Sequence, residues 1–361
     1  MPVPKWLRIG AFAVLLLGLS ACSLNDPQST FDTHGPVARS QLRLFMLTLW
    51  WSIPVMLAVF GALFYSLFRF RQRQGDNTPP EQVHGNVRLE LVWTVLPVFI
   101  LIAIGVPTVR TIFHNQRRLS EADMGNALQV TAIGHQWWWE FEYPELGITT
   151  ANQLHIPVGR TVNVRLRSAD VLHSFWIPKL AGKRDLIPNQ DNQLWFSADE
   201  AGIYNGQCAE YCLGAHAYMR FRVVAQEEHE FLAWADTFQG TPQQVSADPL
   251  VQRGQQLFVQ KGCVGCHAVL GLGVAQNRVG PDLSNFGERL TVGAAVLPNT
   301  RENLARWIRN PQEVKPGNYM PVLWRPDDPN AAEEANAIAA YLQSLGREDT
   351  RQALRGDIYG Y

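Results

Sequence analysis

Apolar and polar positions change their period three times along the chain. Up to residue 113 the apolar residues come in long, predominantly apolar blocks, Ile9 to Leu19, Leu44 to Phe68 and Leu89 to Phe113. The last two exceed the roughly 20 residues an α-helix needs to cross a hydrocarbon core, so they predict a transmembrane helical hairpin over 40–115. The first block would make only about 16 Å of helix, too short to span. With Lys5 and Arg8 ahead of it, it predicts an export signal over residues 1–22.

From about residue 126 the period drops to two. Leu128-Gln-Val-Thr-Ala-Ile, Thr161-Val-Asn-Val-Arg-Leu-Arg and Met219-Arg-Phe-Arg-Val-Val alternate, and Gly, Pro, Asn and Asp separate them. Short alternating strands of this kind predict an antiparallel β-sandwich over 126–225. A helical period then returns. Phe231, Trp234 and Phe238 recur at spacings of three and four, which makes 227–238 a short amphipathic helix. Gln239 to Pro249, rich in Gly, Pro, Gln and Ser, is a linker, so 226–248 joins the sandwich to a separate C-terminal domain. Pro249 to Gly262, with Gly254 and Phe258 on one face, and Ala331 to Leu345, with Tyr341 and Leu342 apolar, predict that this domain is all-α over 249–346. Residues 347–361 form a tail.

Charge orients these pieces. The connector of the hairpin carries Arg69, Arg71, Arg73 and Arg88, which places it in the cytoplasm and both ends of the hairpin outside. Leu19-Ser-Ala-Cys22 resembles a bacterial lipobox, which implies cleavage before Cys22 and a lipid on its sulfur; the alternative is an ordinary signal peptide with an incidental cysteine. Either way the mature N-terminus lies outside. Trp50, Trp51 and Trp93 read as interfacial anchors, and Glu90 as a carboxylate favoured near a helix N-terminus. Across 361 residues, 31 basic and 32 acidic side chains leave a formal charge of -1, so no bulk charge argues for a nucleic-acid partner.

The chemistry concentrates in two short stretches. In Cys208-Ala-Glu-Tyr-Cys-Leu-Gly-Ala-His-Ala-Tyr-Met219, the spacing Cys-x3-His-x2-Met from Cys212 onward is that of a mononuclear blue-copper loop: a thiolate, an imidazole and a weak axial sulfur. Cys208 adds a second thiolate, and two thiolates in one cage can bridge two soft metal ions. A disulfide is the plain alternative in an exported protein. Zinc is another, although it prefers C-x2-C pairs and rarely uses methionine. A copper cage still lacks a second imidazole, for which His173, following an alternating strand and preceding a turn, is the candidate. The second stretch, Cys263-Val-Gly-Cys-His267, is a C-x-x-C-H haem-attachment motif, with a thioredoxin-like dithiol as its alternative. In the haem reading Cys263 and Cys266 form thioethers to the vinyl groups and His267 supplies an axial nitrogen. No histidine follows His267, so the other axial ligand falls to Met320, in Pro316-Gly-Asn-Tyr-Met-Pro321. Pro281 is placed to offer its carbonyl to the outer nitrogen of His267.

Taken together, these stretches resemble subunit II of haem-copper cytochrome c oxidases, in the bacterial form with a fused cytochrome c domain. The resemblance covers most of the chain. It rests on Glu90-Leu-Val-Trp-Thr, Gly134-His-Gln-Trp-Trp-Trp-Glu, Asp170-Val-Leu-His-Ser, Asp185-Leu-Ile-Pro, the cysteine loop and the haem motif. It implies a cupredoxin-like fold for the sandwich, a class I cytochrome c fold for 249–346 and a binuclear CuA centre. In that centre Cys208 and Cys212 bridge the coppers, His173 and His216 bind one each, and Met219 and the backbone carbonyl of Glu210 are weak ligands. The family further implies a magnesium ion reached by the Glu210 side chain at the interface with the catalytic subunit. It marks Trp137 as the position where electrons arrive from cytochrome c; a plain core tryptophan is the alternative.

The partners implied are haem-copper subunit I, further oxidase subunits, and cytochrome c or another respiratory donor. The implied location is the bacterial plasma membrane, with the copper and haem domains on the periplasmic side. From residue 225 onward there are 12 basic and 16 acidic residues, a balance that suits a basic donor. Two other classes compete: a stand-alone membrane-tethered electron carrier or copper-handling protein, and an enzyme like nitrous-oxide reductase. The latter needs a histidine-rich copper cluster, which nine scattered histidines do not supply.

Overall fold

The computed structural model describes residues 26–71, 84–238, 246–272 and 279–346, together with residues 10, 75, 79 and 82. The export signal, Cys22, most of the linker and the tail lie outside the described residues. The chain divides into two compact units, Arg39–Arg117 on the one hand and Met1–Ala38 with Arg118–Tyr361 on the other.

The first unit is a helical hairpin. Helix α1 (Pro36–Arg69) has 34 residues and α2 (Val87–Gln116) has 30. At 1.5 Å per residue, either is longer than the roughly 30 Å of a hydrocarbon core. Their apolar side chains point outward with almost none buried inside the unit, as expected for helices whose solvent is lipid. Stray polar groups are folded back onto the backbone: the hydroxyls of Thr48, Thr94 and Thr108 each donate to the carbonyl four residues before them. Asn86 caps α2 by accepting from the amides of Arg88 and Leu89. The Ser40 hydroxyl donates to Asn115 Oδ1 at 3.1 Å, which ties the start of one helix to the end of the other.

In the second unit, helix α3 (Glu121–Asn126), capped by Ser120, leads into a sandwich. One sheet has the order β3-β2-β1-β5-β8 and the other β4-β10-β9-β6-β7. In chain order these strands are β1 (Leu128–His135), β2 (Trp138–Tyr143), β3 (Ile148–Ala151), β4 (Gln153–Pro157), β5 (Val162–Ser168), β6 (His173–Trp176), β7 (Arg184–Leu186), β8 (Asn192–Phe196), β9 (Gly202–Cys208) and β10 (Arg220–Gln226). The expected sandwich is present, but each sheet contains one parallel pair, β1 with β5 and β4 with β10. Alternation dictates which face a side chain takes and carries no information on the direction of the neighbouring strand. Trp139 and Phe141 of β2 meet Phe175 of β6 and Phe221 of β10 between the sheets, all fully buried. Phe175 and Phe221 stack at 4.7 Å, and Trp139 meets Phe175 edge-on at 5.5 Å. Each such side chain contributes roughly 2–3 kcal/mol by leaving water. Helix α4 (Glu228–Asp236) closes the far end of this core with Phe231 and Trp234.

The helical domain has its own core. Asp248 caps α5 (Pro249–Gln260), whose first residue is the proline that position tolerates best. Helices α6 (Arg301–Arg309), α7 (Pro311–Val314) and α8 (Ala331–Ser344) complete it. Gly254 marks the crossing of α5 and α8: a Cβ there would lie 2.0 Å from the carbonyl oxygen of Ala337. The missing side chain is what lets the backbones approach, with Phe258 and Tyr341 packed beside it at 5.7 Å.

This domain is docked on the sandwich as well as tethered to it. Val224 of β10 packs on Leu290, and Trp138 and Ala151 pack on Ala294, in the turn between β11 (Thr291–Val292) and β12 (Leu297–Pro298). The Leu290 amide donates to the buried Gln153 Oε1 at 2.9 Å.

Candidate redox centres

The loop that leaves β9 at Cys208 returns to β10 through a short 3-10 turn, His216–Tyr218. It closes on itself where the Cys208 amide donates to the carbonyl of Met219 at 2.9 Å. The closure brings the soft donors inward. Cys208 Sγ and Cys212 Sγ are 3.9 Å apart, Cys212 Sγ lies 3.4 Å from His216 Nδ1 and 3.8 Å from Met219 Sδ, and Cys208 Sγ lies 3.2 Å from the carbonyl oxygen of Glu210. Both cysteines are free thiols, and their sulfurs stand well beyond the roughly 2.05 Å of a disulfide.

His173 reaches the same cage, with Nδ1 3.9 Å from Cys208 Sγ. It comes from a neighbouring strand end, as expected: it opens β6, and β6 pairs with β9 through Phe175 and Cys208. Strand pairing is therefore what brings together residues 35 apart in sequence. The other ring nitrogen, Nε2, is 2.7 Å from Asp170 Oδ1. A carboxylate can only accept there, so Nε2 carries the hydrogen and Nδ1 keeps its lone pair for the cage. Burial opposes a charge on His173, yet the hydrogen bonds to Asp170 and Cys208 raise its pKa on balance. The hydrogen bond between the two thiols holds Cys208 well below the usual thiol range, against the cost of burial.

The side-chain ligand atoms of His173, Cys208 and Cys212 all lie within 4.8 Å of one another and are buried. Sulfur and imidazole donors in a dry cage fit copper, and oxygen-seeking metals poorly. Glu210 meets the cage by its backbone; its carboxylate is not part of that grouping.

The haem motif forms a tight turn, Cys263–Gly265, followed by His267. His267 Nδ1 donates to the carbonyl of Pro281 at 2.8 Å, leaving the Nε2 lone pair for iron. Burial lowers the pKa of this ring and keeps it in the neutral, ligating form. Burial also pushes the Cys263 thiol up to about 11, the opposite of what a reactive dithiol needs. Cys263, Cys266, His267, Pro281 and Met320 line one largely apolar cavity, so the residues present fit a covalent haem.

Trp137 lies between the two centres. Its Nε1 donates to the carbonyl of Cys212 at 2.9 Å, and its ring covers Gly214, where a Cβ would come within 2.2 Å of the indole. It also lines the haem-motif cavity, together with Gln136 and Trp138. Sequence reasoning missed Asp170, Gln136, Lys315 and Tyr319. Asp170 had a signal, a carboxylate three residues before a candidate ligand; Gln136 and Tyr319 lay inside motif stretches without a role of their own, and Lys315 had no signal.

Fold and site define a membrane-anchored fusion of a cupredoxin-like domain and a cytochrome c domain. Residues 27–111 match the cytochrome c oxidase subunit II transmembrane domain, 147–226 its periplasmic domain, and 251–346 the cytochrome c family. The cytochrome c oxidase subunit 2 of Alkalihalophilus pseudofirmus is 39% identical over 339 residues, 94% of this chain and 96% of that protein. The quinol oxidase subunit 2 of Bacillus subtilis is 34% identical over 232 residues, 64% of this chain and 71% of that protein. Among solved structures, the periplasmic domain of subunit II of cytochrome oxidase from Bradyrhizobium japonicum is 32% identical, covering 30% of this chain and 91% of that one, with a TM-score of 0.30. The chain belongs to the cytochrome c oxidase subunit II family and carries a C-terminal cytochrome c domain.

Proposed function

We propose that this chain is the electron-accepting subunit of a respiratory cytochrome c oxidase in a bacterial plasma membrane, its two redox domains on the periplasmic side. Cytochrome c or another respiratory donor supplies the electrons, and subunit I reduces oxygen to water. Cys263 and Cys266 would hold haem c covalently, and His267 and Met320 would ligate its iron. Cys208, Cys212, His173, His216, Met219 and the Glu210 carbonyl would hold a binuclear CuA. The Glu210 carboxylate would reach a magnesium ion at the boundary with subunit I. When bound, the haem and the copper pair supply one-electron chemistry.

The protein's part is orientation and exclusion of water. Asp170 and Pro281 hold the buried His173 and the half-buried His267 with their lone pairs inward. The loop closure between Cys208 and Met219 makes the cage rigid, so a change of charge demands little rearrangement. Trp137 bridges the copper loop and the haem-motif cavity. The hairpin, too small to enclose an oxygen-reducing site, would dock on subunit I. The observation that carries this reading is the convergence of two buried free thiols, a buried thioether and a half-buried imidazole on one closed loop with the buried His173. Metal analysis and spectroscopy on the detergent-purified chain test it. Two coppers with a mixed-valence signal and one covalent haem per chain are expected. A single copper with a blue absorption band, or zinc, would overturn it.

A further inference from the structure

Lys315, directly after α7, is 3% exposed. Its amine crosses the seam between the domains and donates to the carbonyl of Trp137 at 2.5 Å, and on its own side to that of Gly293 at 3.3 Å. Buried lysines are ordinarily paired with carboxylates. Here both acceptors are neutral carbonyls, one from each domain, so what the side chain gains by giving up water is a fixed distance between the two backbones. Four residues on, the Tyr319 ring lies against the Trp137 indole at 4.7 Å, and its hydroxyl donates to Gln136 Oε1 at 3.0 Å. Between them, the backbone of Gly317 rests on Gly214 and Ala215 of the copper loop, where an added Cβ would stand 3.5 Å from Gly214. The segment 315–319 thus grips Trp137 by its carbonyl, its ring and its neighbouring side chain, and Met320 of the haem-motif cavity comes next. Trp137 is left 5% exposed.

We propose that Lys315 and Tyr319 are positioning residues that latch the cytochrome c domain onto the sandwich in one register. The latch keeps Trp137 covered by the chain's own cytochrome domain. The inference rests on the electron-accepting function proposed above. A domain held only by a linker searches many orientations at a high effective concentration. A buried amine and a ring contact on Trp137, with a hydroxyl bond to the adjacent Gln136, replace that search with a standing contact. An outside protein reaching for Trp137 would have to displace all three.

Hydrogen–deuterium exchange on the full chain in detergent, read by mass spectrometry, tests the latch without measuring turnover. The probes are the amides of 136–139 and 214–218, compared among the wild type, Lys315→Met and Tyr319→Ala. Each variant should exchange there about tenfold faster, the equivalent of one lost buried hydrogen bond, with copper and haem content unchanged. Tyr319 is 68% exposed, so its truncation tests the latch even where the lysine variant folds poorly. Wild-type exchange rates in both variants would overturn the latch and leave the electron-accepting function standing. A chain that takes up neither copper nor haem would overturn that function, while the exchange data would still report on the latch.

Discussion

The indole Nε1 of Trp137 donates to the carbonyl oxygen of Cys212 at 2.9 Å, and the side-chain amide of Gln136 donates to the same oxygen at 3.0 Å. An aromatic side chain at the domain seam is thus bonded to the backbone of a cage cysteine. Trp137→Phe keeps a ring in place and removes one donor, while Gln136 keeps the carbonyl satisfied. The stability loss in urea titration should be small, about 1 kcal/mol, and copper content should hold. Electron arrival at the copper after flash reduction of the haem should slow severalfold. An unchanged rate with full metal content would remove Trp137 from the route.

His155 gives the sandwich a defined acid limit. It is 1% exposed, with Nδ1 2.7 Å from Gln226 Oε1, Nε2 2.7 Å from the Gln153 amide, and Trp234 stacked on its face at 4.1 Å. Burial pulls its pKa down from 6.5 to about 4, only partly opposed by the bond to Gln226. Between those values the unfolded chain binds a proton that the folded chain refuses. The contribution is therefore fully present above pH 6.5 and is lost as pH falls toward 4, by about 3 kcal/mol at most. Urea titrations at pH 7 and pH 4.5 should show a smaller pH dependence in His155→Gln than in the wild type. Equal dependence in the two proteins would show that His155 is not the titrating group.

What the sequence made legible here was contiguous or periodic. The cysteine loop declares itself because Cys208, Cys212, His216 and Met219 share twelve residues, and the hairpin because apolar runs of that length have few other uses. His173 could be named as a candidate, but its position at the head of β6 depends on pairing with β9, which no local pattern encodes. The parallel pairs were invisible for the same reason: alternation assigns faces only. Lys315 was out of reach altogether. Nothing local distinguishes a lysine that will be buried at a seam from one that will be solvated; its burial follows from where two separately folded domains meet.

The crossing at Gly254 admits no side chain. Gly254→Ala places a methyl 2.0 Å from the backbone oxygen of Ala337, and backbone cannot swing aside as a long side chain would. Helices α5 and α8 must separate, with an expected cost of roughly 2–3 kcal/mol as for other overpacked cores. The loss should fall on the cytochrome domain. Its thermal transition, followed through haem absorbance, should drop by several degrees while copper absorbance melts as in the wild type. A joint shift of both signals would mean that the docked domains unfold as one unit.

Asp170 should control copper affinity without touching the metal. Its Oδ1 accepts from His173 Nε2 at 2.7 Å, and its Oδ2 accepts from the Gln136 amide at 2.7 Å. The Val171 amide also donates to Oδ1, at 2.6 Å, so three donors share the two acceptor atoms. Asp170→Asn has nearly the same shape and offers one oxygen. If that oxygen stays with Gln136, the new amide NH2 faces His173 and favours the tautomer whose hydrogen sits on Nδ1, the nitrogen that would bind copper in the proposed centre. If it stays with His173, the NH2 confronts the amide of Gln136 and the strand end loses its bond beside Trp137. In either case the imidazole is less well prepared, and losses of this kind typically cost 10–100-fold in metal affinity. Competition of the purified full chain against a copper chelator should show a drop of about that size in Asp170→Asn, with haem content unchanged. Wild-type affinity in this variant would mean that pairing of β6 with β9 alone orients the histidine.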